Sequence, residues 1–225
     1  MKTCRLNKQH SKNLIVFFAG WSFDNHPFCD CCNDENSDIL MVYDYNSMDI
    51  PEELTRLQDY KHKTLIAWSM GVFTAYLNRE LFKDFDCKIA LNGTVTPVDD
   101  NYGIPRKIFE LTLKHAKTGL EGKFYKNVFQ TQEEYEKYQL NPVQRSIENR
   151  ISELQVLYET IKKDSENEYK QFYDYAIVCE EDKIIPPANQ EASHQKNNVP
   201  IIKLPFGHCP FYKYSTLNEI IELCR

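Results

Sequence analysis

The sequence predicts an α/β fold: a mostly parallel sheet with helices on both faces. Three observations carry this. Residues 14–18, 38–45, 64–68, 87–91, 175–179 and 200–204 are short runs of strand length, near-continuously apolar, as strands buried on both faces are. Helix-compatible stretches alternate with them, the pattern of parallel strands joined by crossovers. Several runs end in turn-forming residues, as at Gly20, Gly71, Gly93 and Gly207.

Taken in order, residues 14–18 read as a buried strand running into Ala19, Gly20, Trp21 and Ser22. Residues 23–37, rich in Asp, Asn, Pro and Cys, have no period and read as a loop with at most a short helix. Residues 38–45 form the second strand. Pro51, Glu52 and Glu53 then suit a first helical turn, where orphan N–H groups and the dipole favour them. Leu54, Leu57 and Tyr60 would carry that helix's apolar face. Residues 64–68 are the third strand, 72–82 the helix after it and 87–91 the fourth strand.

The alternation then stops. From 104 to about 171 no strand signal appears, while Ile147, Ile151, Leu154, Leu157 and Ile161 follow helical spacing. Thr131 followed by Glu134 is a capping-box pattern. The stretch reads as a helical lid or cap insertion of about four helices in one α/β domain spanning 1–225. The α/β pattern resumes with a strand at 175–179, a helix over 187–195, a strand at 200–204 and a closing helix over 216–223.

Composition limits the function classes. The 225 residues are 42% hydrophobic and 27% charged, ordinary for a globular chain able to bury a sizeable core. No apolar run approaches a transmembrane length, and residues 1–13 lack the pattern of a signal peptide, so a cytoplasmic protein is expected. Net charge −6 and pI about 5.6 argue against general nucleic-acid binding. Eight cysteines are then expected as reduced thiols. Cys29, Cys31 and Cys32 cluster, and Cys29-x-x-Cys32 has half-site spacing, but no second Cys/His pair matches it. A cysteine-rich surface loop is expected, with no metal and no cofactor.

The chemistry centres on Ser69. Leu65, Ile66, Ala67 and Trp68 meet Ser69, then Met70, Gly71 and a helix: strand, sharp turn, helix, with the serine at the apex. A serine hydroxyl needs a base to take its proton, and the base needs a third group to fix its tautomer. Of six histidines, only His208 follows a late strand directly, at the carboxyl edge where ligands gather in parallel sheets. For the acid, Asp182 follows the strand at 175–179. Glu181 beside it, and Asp99 and Asp100 after the fourth strand, are alternatives. The order Ser69, Asp182, His208 is that of an α/β-hydrolase triad. Ala67 departs from that pattern, which has glycine two residues before the serine. The oxyanion donors expected are the backbone N–H groups of Met70 and Trp21.

The chain here resembles the BioG-type α/β-hydrolases, pimeloyl-acyl-carrier-protein methyl ester esterases of biotin synthesis. The resemblance rests on F-F-A-G-W, A-W-S-M-G-V, N-G-T with P-V-D, the E-D-K-I-I-P-P-A-N-Q stretch and G-H-C-P-F. It implies Ser69 as nucleophile, Asp182 as acid, His208 as base, and the Trp21 and Met70 amides as oxyanion donors. Ser22 departs from it, since a glycine or small residue commonly follows the tryptophan. The implied substrate is the methyl ester of pimeloyl on acyl carrier protein. The carrier is acidic, so a basic docking face is expected on the insertion, with Arg106, Lys107, Lys114, Arg145 and Arg150 as candidates. Phe109, Phe124, Tyr125 and Phe129 are expected mostly to pack its underside rather than line an acyl channel. A monomer is expected. The alternatives are a general esterase, a thioesterase, or a non-catalytic carrier-binding module on the same scaffold.

Overall fold

The computed structural model describes residues 1–29, 34–164 and 169–225. Seven strands among them form one sheet: β1 (Lys2–Asn7), β2 (Asn13–Phe18), β3 (Asp38–Tyr43), β4 (His62–Trp68), β5 (Cys87–Leu91), β6 (Tyr175–Cys179) and β7 (Ile201–Leu204). Their order is β1-β3-β2-β4-β5-β6-β7. Every neighbouring pair is parallel except β1 with β3. Val16, Phe17, Phe18, Leu65, Ile66, Trp68, Ile89 and Ile177 are fully buried at the sheet's centre. Each such side chain stabilises the fold by about 1.5–3 kcal/mol over its exposed state. Because β2, β4, β5, β6 and β7 run the same way, the residues after Phe18, Trp68, Leu91, Cys179 and Leu204 all emerge at one edge.

Three elements outside the insertion differ from the sequence reading. β1 was not expected, because residues 1–13 are polar and basic. It is an antiparallel edge strand whose Lys2 and Arg5 face solvent, as charges on edges do. The helix expected after Pro51 is only a 3₁₀ turn at Glu52–Thr55. Arg56 leaves helical geometry at φ −119°, and so short a segment, with Leu54 and Leu57 as its buried contacts, cannot sustain an isolated helix. The helix after β4, α1 (Met70–Leu77), is also shorter than expected. Asn78 donates back to the Thr74 carbonyl, and a 3₁₀ turn at Arg79–Phe82 completes the segment.

Between β5 and β6 lie α2 (Arg106–Lys114), α3 (Ala116–Glu121), α4 (Phe124–Val128), α5 (Gln132–Leu140) and α6 (Ile147–Asp164). That is five helices among the described residues, where about four are expected. The chain breaks at His115 and again at Gly122, which leaves helical geometry at φ −126°, ψ −101°. Thr131 and Glu134 form the expected capping box on α5. In α6, Leu154, Leu157 and Ile161 are buried, while Ile147 and Ile151 are half-buried. Beyond β6 come α7 (Pro187–Lys196) and α8 (Leu217–Glu222), the latter capped by Thr216.

Cys31 and Cys32 lie outside the described residues, while Cys29 is exposed and donates weakly to the Asn25 carbonyl. Among the described residues, no group of three His, Cys, Asp or Glu side chains stands as a metal site. None of the described helices is long and apolar enough to cross a membrane.

Candidate active site

Ser69 stands between β4 and α1 with φ 56° and ψ −125°. A non-glycine residue held there costs on the order of 1–3 kcal/mol, which the packing around it must offset. The turn is crowded. A Cβ at Gly71 would lie 2.5 Å from the Phe18 carbonyl oxygen, and one at Gly93 would lie 2.3 Å from that of Ser69. Ala67, where the usual pattern has glycine, is fully buried and pairs in register with Phe18 and Ala90.

The turn after β7 brings His208 to the serine. His208 Nε2 lies 2.9 Å from Ser69 Oγ, and His208 Nδ1 lies 2.8 Å from Asp182 Oδ2. All three residues are buried. An ionised Asp182 only accepts, so Nδ1 carries the imidazole proton and Nε2 is free to accept from the serine hydroxyl. The histidine's backbone is fixed from two sides. Trp68 Nε1 donates to the His208 carbonyl at 2.8 Å, and Asn92 Nδ2 to the Gly207 and His208 carbonyls at 3.1 and 2.9 Å. Asn92 Oδ1 in turn accepts from the Cys179 amide at 2.8 Å, tying the histidine loop to β6.

Asp182 is held as firmly. Its Oδ1 accepts from the Ile184 and Ile185 amides at 2.8 and 3.0 Å, and its Oδ2 from Gln190 Nε2 at 2.8 Å. The alternative acids have other tasks. Glu181 is exposed. Asp99 Oδ1 accepts from the Asn101 and Tyr102 amides, and Asp100 Oδ1 from the Arg106 amide that opens α2.

Of the expected oxyanion donors, the Met70 amide begins α1 and the Trp21 amide lies in the loop after β2. Among the described residues neither donates to a protein acceptor. Both residues line a cavity of about 360 Å³ that also reaches Ser69 and His208. Its far walls are Ile104, Ile108, Phe109, Leu111, Leu120 and Phe124 of the insertion. So Phe109 and Phe124 line the cavity, while Tyr125 and Phe129 pack with Tyr138 away from it. The lining is mostly apolar, with Thr112, His115, Lys123, Asn127 and Lys183 as further polar members, and a cavity of this size suits a small ligand with an apolar body.

The basic candidates divide. Arg106, Lys107 and Lys114 are exposed on α2, as are Lys117, Lys123 and Lys126 beyond it. Arg145 and Arg150 are not a docking face. The Arg145 side chain is 7% exposed and pairs with Asp44 and Glu153 at 3.1 and 2.9 Å. Arg150 is buried and donates to the Tyr125 hydroxyl at 2.7 Å. Buried guanidinium groups need such partners, and their charge is spent inside the molecule.

Three residues of the site were not singled out from the sequence: Asn92, Gln190 and Glu153. The first two stand within motifs whose individual members had no stated roles. Glu153 had a subtler signal, a carboxylate on the apolar face of α6 beside Leu154 and Leu157, where a charge requires a buried partner.

Comparisons with known proteins identify the family and the fold. The family "Pimeloyl-ACP methyl esterase BioG" matches residues 1–220. The crystal structure of BioG from Haemophilus influenzae superposes with a TM-score of 0.84 at 30% identity, covering 97% of this chain and 99% of that one. An uncharacterized protein of Haemophilus influenzae is 33% identical over 84% of this chain and 85% of its own length. A malonyl-[acyl-carrier protein] O-methyltransferase of Bacteroides fragilis is 34% identical over 82% of this chain, which spans 37% of that longer protein. Esterase structures of much lower identity share the fold, an α/β-hydrolase fold. Matched along nearly its whole length, the chain belongs to the BioG family of α/β-hydrolases.

Proposed function

We propose that the protein is a serine esterase that removes the methyl group from pimeloyl-acyl-carrier-protein methyl ester in biotin synthesis. The observation that carries this reading is the buried chain from Ser69 Oγ through His208 to Asp182, with links of 2.9 and 2.8 Å. Family membership supports this choice of substrate, and the geometry supports the mechanism. His208 Nε2 takes the Ser69 proton as Oγ attacks the ester carbonyl. The Trp21 and Met70 amides stabilise the oxyanion, an interaction that pays off only in the transition state. His208 then protonates the departing methoxide, giving methanol and an acyl-serine. Water, deprotonated by the same imidazole, hydrolyses the acyl-serine and leaves a free carboxylate.

The apolar cavity suits the methylene chain between the ester and the carrier. Helices α2 to α6 act in this reading as a cap. Its exposed Arg106, Lys107 and Lys114, with Ile108 and Leu111 exposed between them, meet the acidic carrier protein. The Bacteroides fragilis relative fits the same reading. A segment like this chain, within a protein named for methylating a carrier-bound acyl group, is what a step that later removes such a methyl calls for.

The test compares three substrates: the pimeloyl methyl ester on carrier protein, the same ester free, and an acyl-CoA. The expected result is methanol release with the highest kcat/KM on the carrier-bound ester. Faster release of the thiol from acyl-CoA would make the protein a thioesterase instead.

A further inference from the structure

The loop after β2 is tied to the insertion at each of four successive residues. Trp21 Nε1 donates to the Arg150 carbonyl at 2.7 Å. The Ser22 amide donates to Glu153 Oε2 at 3.0 Å, and the Ser22 hydroxyl shares a hydrogen bond with the Tyr125 hydroxyl. Arg145 donates to the Phe23 carbonyl at 3.1 Å. The Asp24 carboxylate accepts from the Gln144 and Arg145 amides at 2.8 and 3.2 Å. Glu153 is fully buried, and among the described residues its hydrogen-bonding partners are all donors: the Ser22 amide, the Tyr45 amide at 2.8 Å and the Arg145 guanidinium at 2.9 Å. Burial pushes its carboxyl above the ordinary range and Arg145 opposes this. With donors on every side, only the ionised form leaves none of them unpaired. A buried pair of this kind adds little stability over apolar packing, so its value lies in the geometry it imposes.

We propose that Glu153 is a positioning residue for the oxyanion site, and that α6 is a fixed wall of the active site rather than a moving lid. This inference rests on the esterase reading above. The Gly20 carbonyl accepts from the Phe23 amide at 3.4 Å, and the Ala19 amide donates to the Val42 carbonyl at 2.9 Å. In a trans peptide the C=O and N–H point opposite ways, so this turns the Trp21 N–H away from the loop's own bond. Glu153 fixes the next peptide through the Ser22 N–H. Between them the two anchors leave the Trp21 donor one orientation. The same contacts account for Ser22. It sits at φ 77°, where glycine is most at ease, yet a glycine would forfeit the anchor on Tyr125 and, through it, Arg150.

The test measures kcat and KM on a short p-nitrophenyl ester, and the affinity of an alkyl trifluoromethyl ketone, which adds to the serine as a tetrahedral oxyanion. Glu153→Gln turns an amide N–H₂ toward other donors. Its kcat should fall about 100-fold with KM within about threefold of wild type, the pattern of a displaced oxyanion donor. Ketone affinity should fall by the same factor as kcat while the circular dichroism is unchanged. Tyr125→Phe, which keeps the buried ion pair, should show the same pattern at about tenfold, and it decides the matter if Glu153→Gln does not fold. A folded Glu153→Gln, or Tyr125→Phe in its place, with kcat and ketone affinity unchanged would overturn the inference, as would an effect on KM alone. A wild-type chain that neither hydrolyses the ester nor binds the ketone would instead refute the esterase reading, and this inference with it.

Discussion

Gln190 donates to Asp182 Oδ2 at 2.8 Å, on the same carboxylate oxygen that faces His208 Nδ1. It reaches there from α7 with its side chain fully buried, and it also donates to the Ile185 carbonyl at 2.9 Å. The acid's position is therefore set by a side chain eight residues further along as well as by its own turn. Gln190→Met keeps most of the volume and removes the donor. Loss of a hydrogen bond to a charged group, worth about 1.5–3 kcal/mol, should lower kcat about tenfold or more with KM little changed. Steady-state kinetics on a p-nitrophenyl ester checks this, and an unchanged kcat would remove Gln190 from the account.

The crowding at the serine turn gives a paired prediction. Gly93→Ala places a methyl group 2.3 Å from the Ser69 carbonyl oxygen, a backbone atom that cannot step aside without moving the nucleophile. Esterase activity should be lost even where soluble protein is recovered. Gly119→Ala meets nothing within 4 Å and sits inside α3. It should raise stability by about 0.5–1 kcal/mol, a few degrees in Tm. Thermal melts and activity of the two variants, side by side, make the comparison.

His194 predicts a pH dependence of stability. Burial pushes it down from 6.5 to about 4, and the neutral ring donates Nε2–H to the Gly93 carbonyl at 2.9 Å. Below pH 6.5 the unfolded chain takes up a proton that the folded chain refuses, so stability falls as pH falls. At about 1.4 kcal/mol per pH unit, the loss reaches about 3 kcal/mol by the time pH nears 4. In His194→Gln, which cannot take up that proton, the fall between those values should be shallower by about that amount. Denaturant melts across pH 4–7 read the difference; parallel curves would contradict it.

Much of this was legible in the sequence because the relevant signals are local. Ser69 follows an apolar strand and precedes a helix, and Asp182 and His208 follow two more strands, so topology alone gathers the three at one sheet edge. What escaped depends on contacts between residues far apart. Arg145 and Arg150 read as exposed charge because their partners, Asp44, Glu153 and Tyr125, reach them only through the fold. β1 gives no strand signal in the sequence because an edge strand needs no continuous apolar run. The helix start at Pro51 goes no further than a 3₁₀ turn because a favourable first turn does not extend a helix with little to pack against.

That correction sharpens the docking prediction. Lys107→Glu combined with Lys114→Glu should raise KM for the carrier-bound ester about tenfold at low ionic strength, and added salt should narrow the gap to wild type. A small p-nitrophenyl ester, which has no carrier to lose, should be turned over as before. Equal effects on both substrates would place the carrier elsewhere.

The role of Ser69 as nucleophile is decided by methanol release from pimeloyl-acyl-carrier-protein methyl ester in the Ser69→Ala variant. The variant should fold with wild-type circular dichroism, and its kcat should be lower by about 10⁵-fold or more, as when a triad nucleophile is removed. Methanol release within about tenfold of wild type would contradict it and send the search for the catalytic group elsewhere in the cavity.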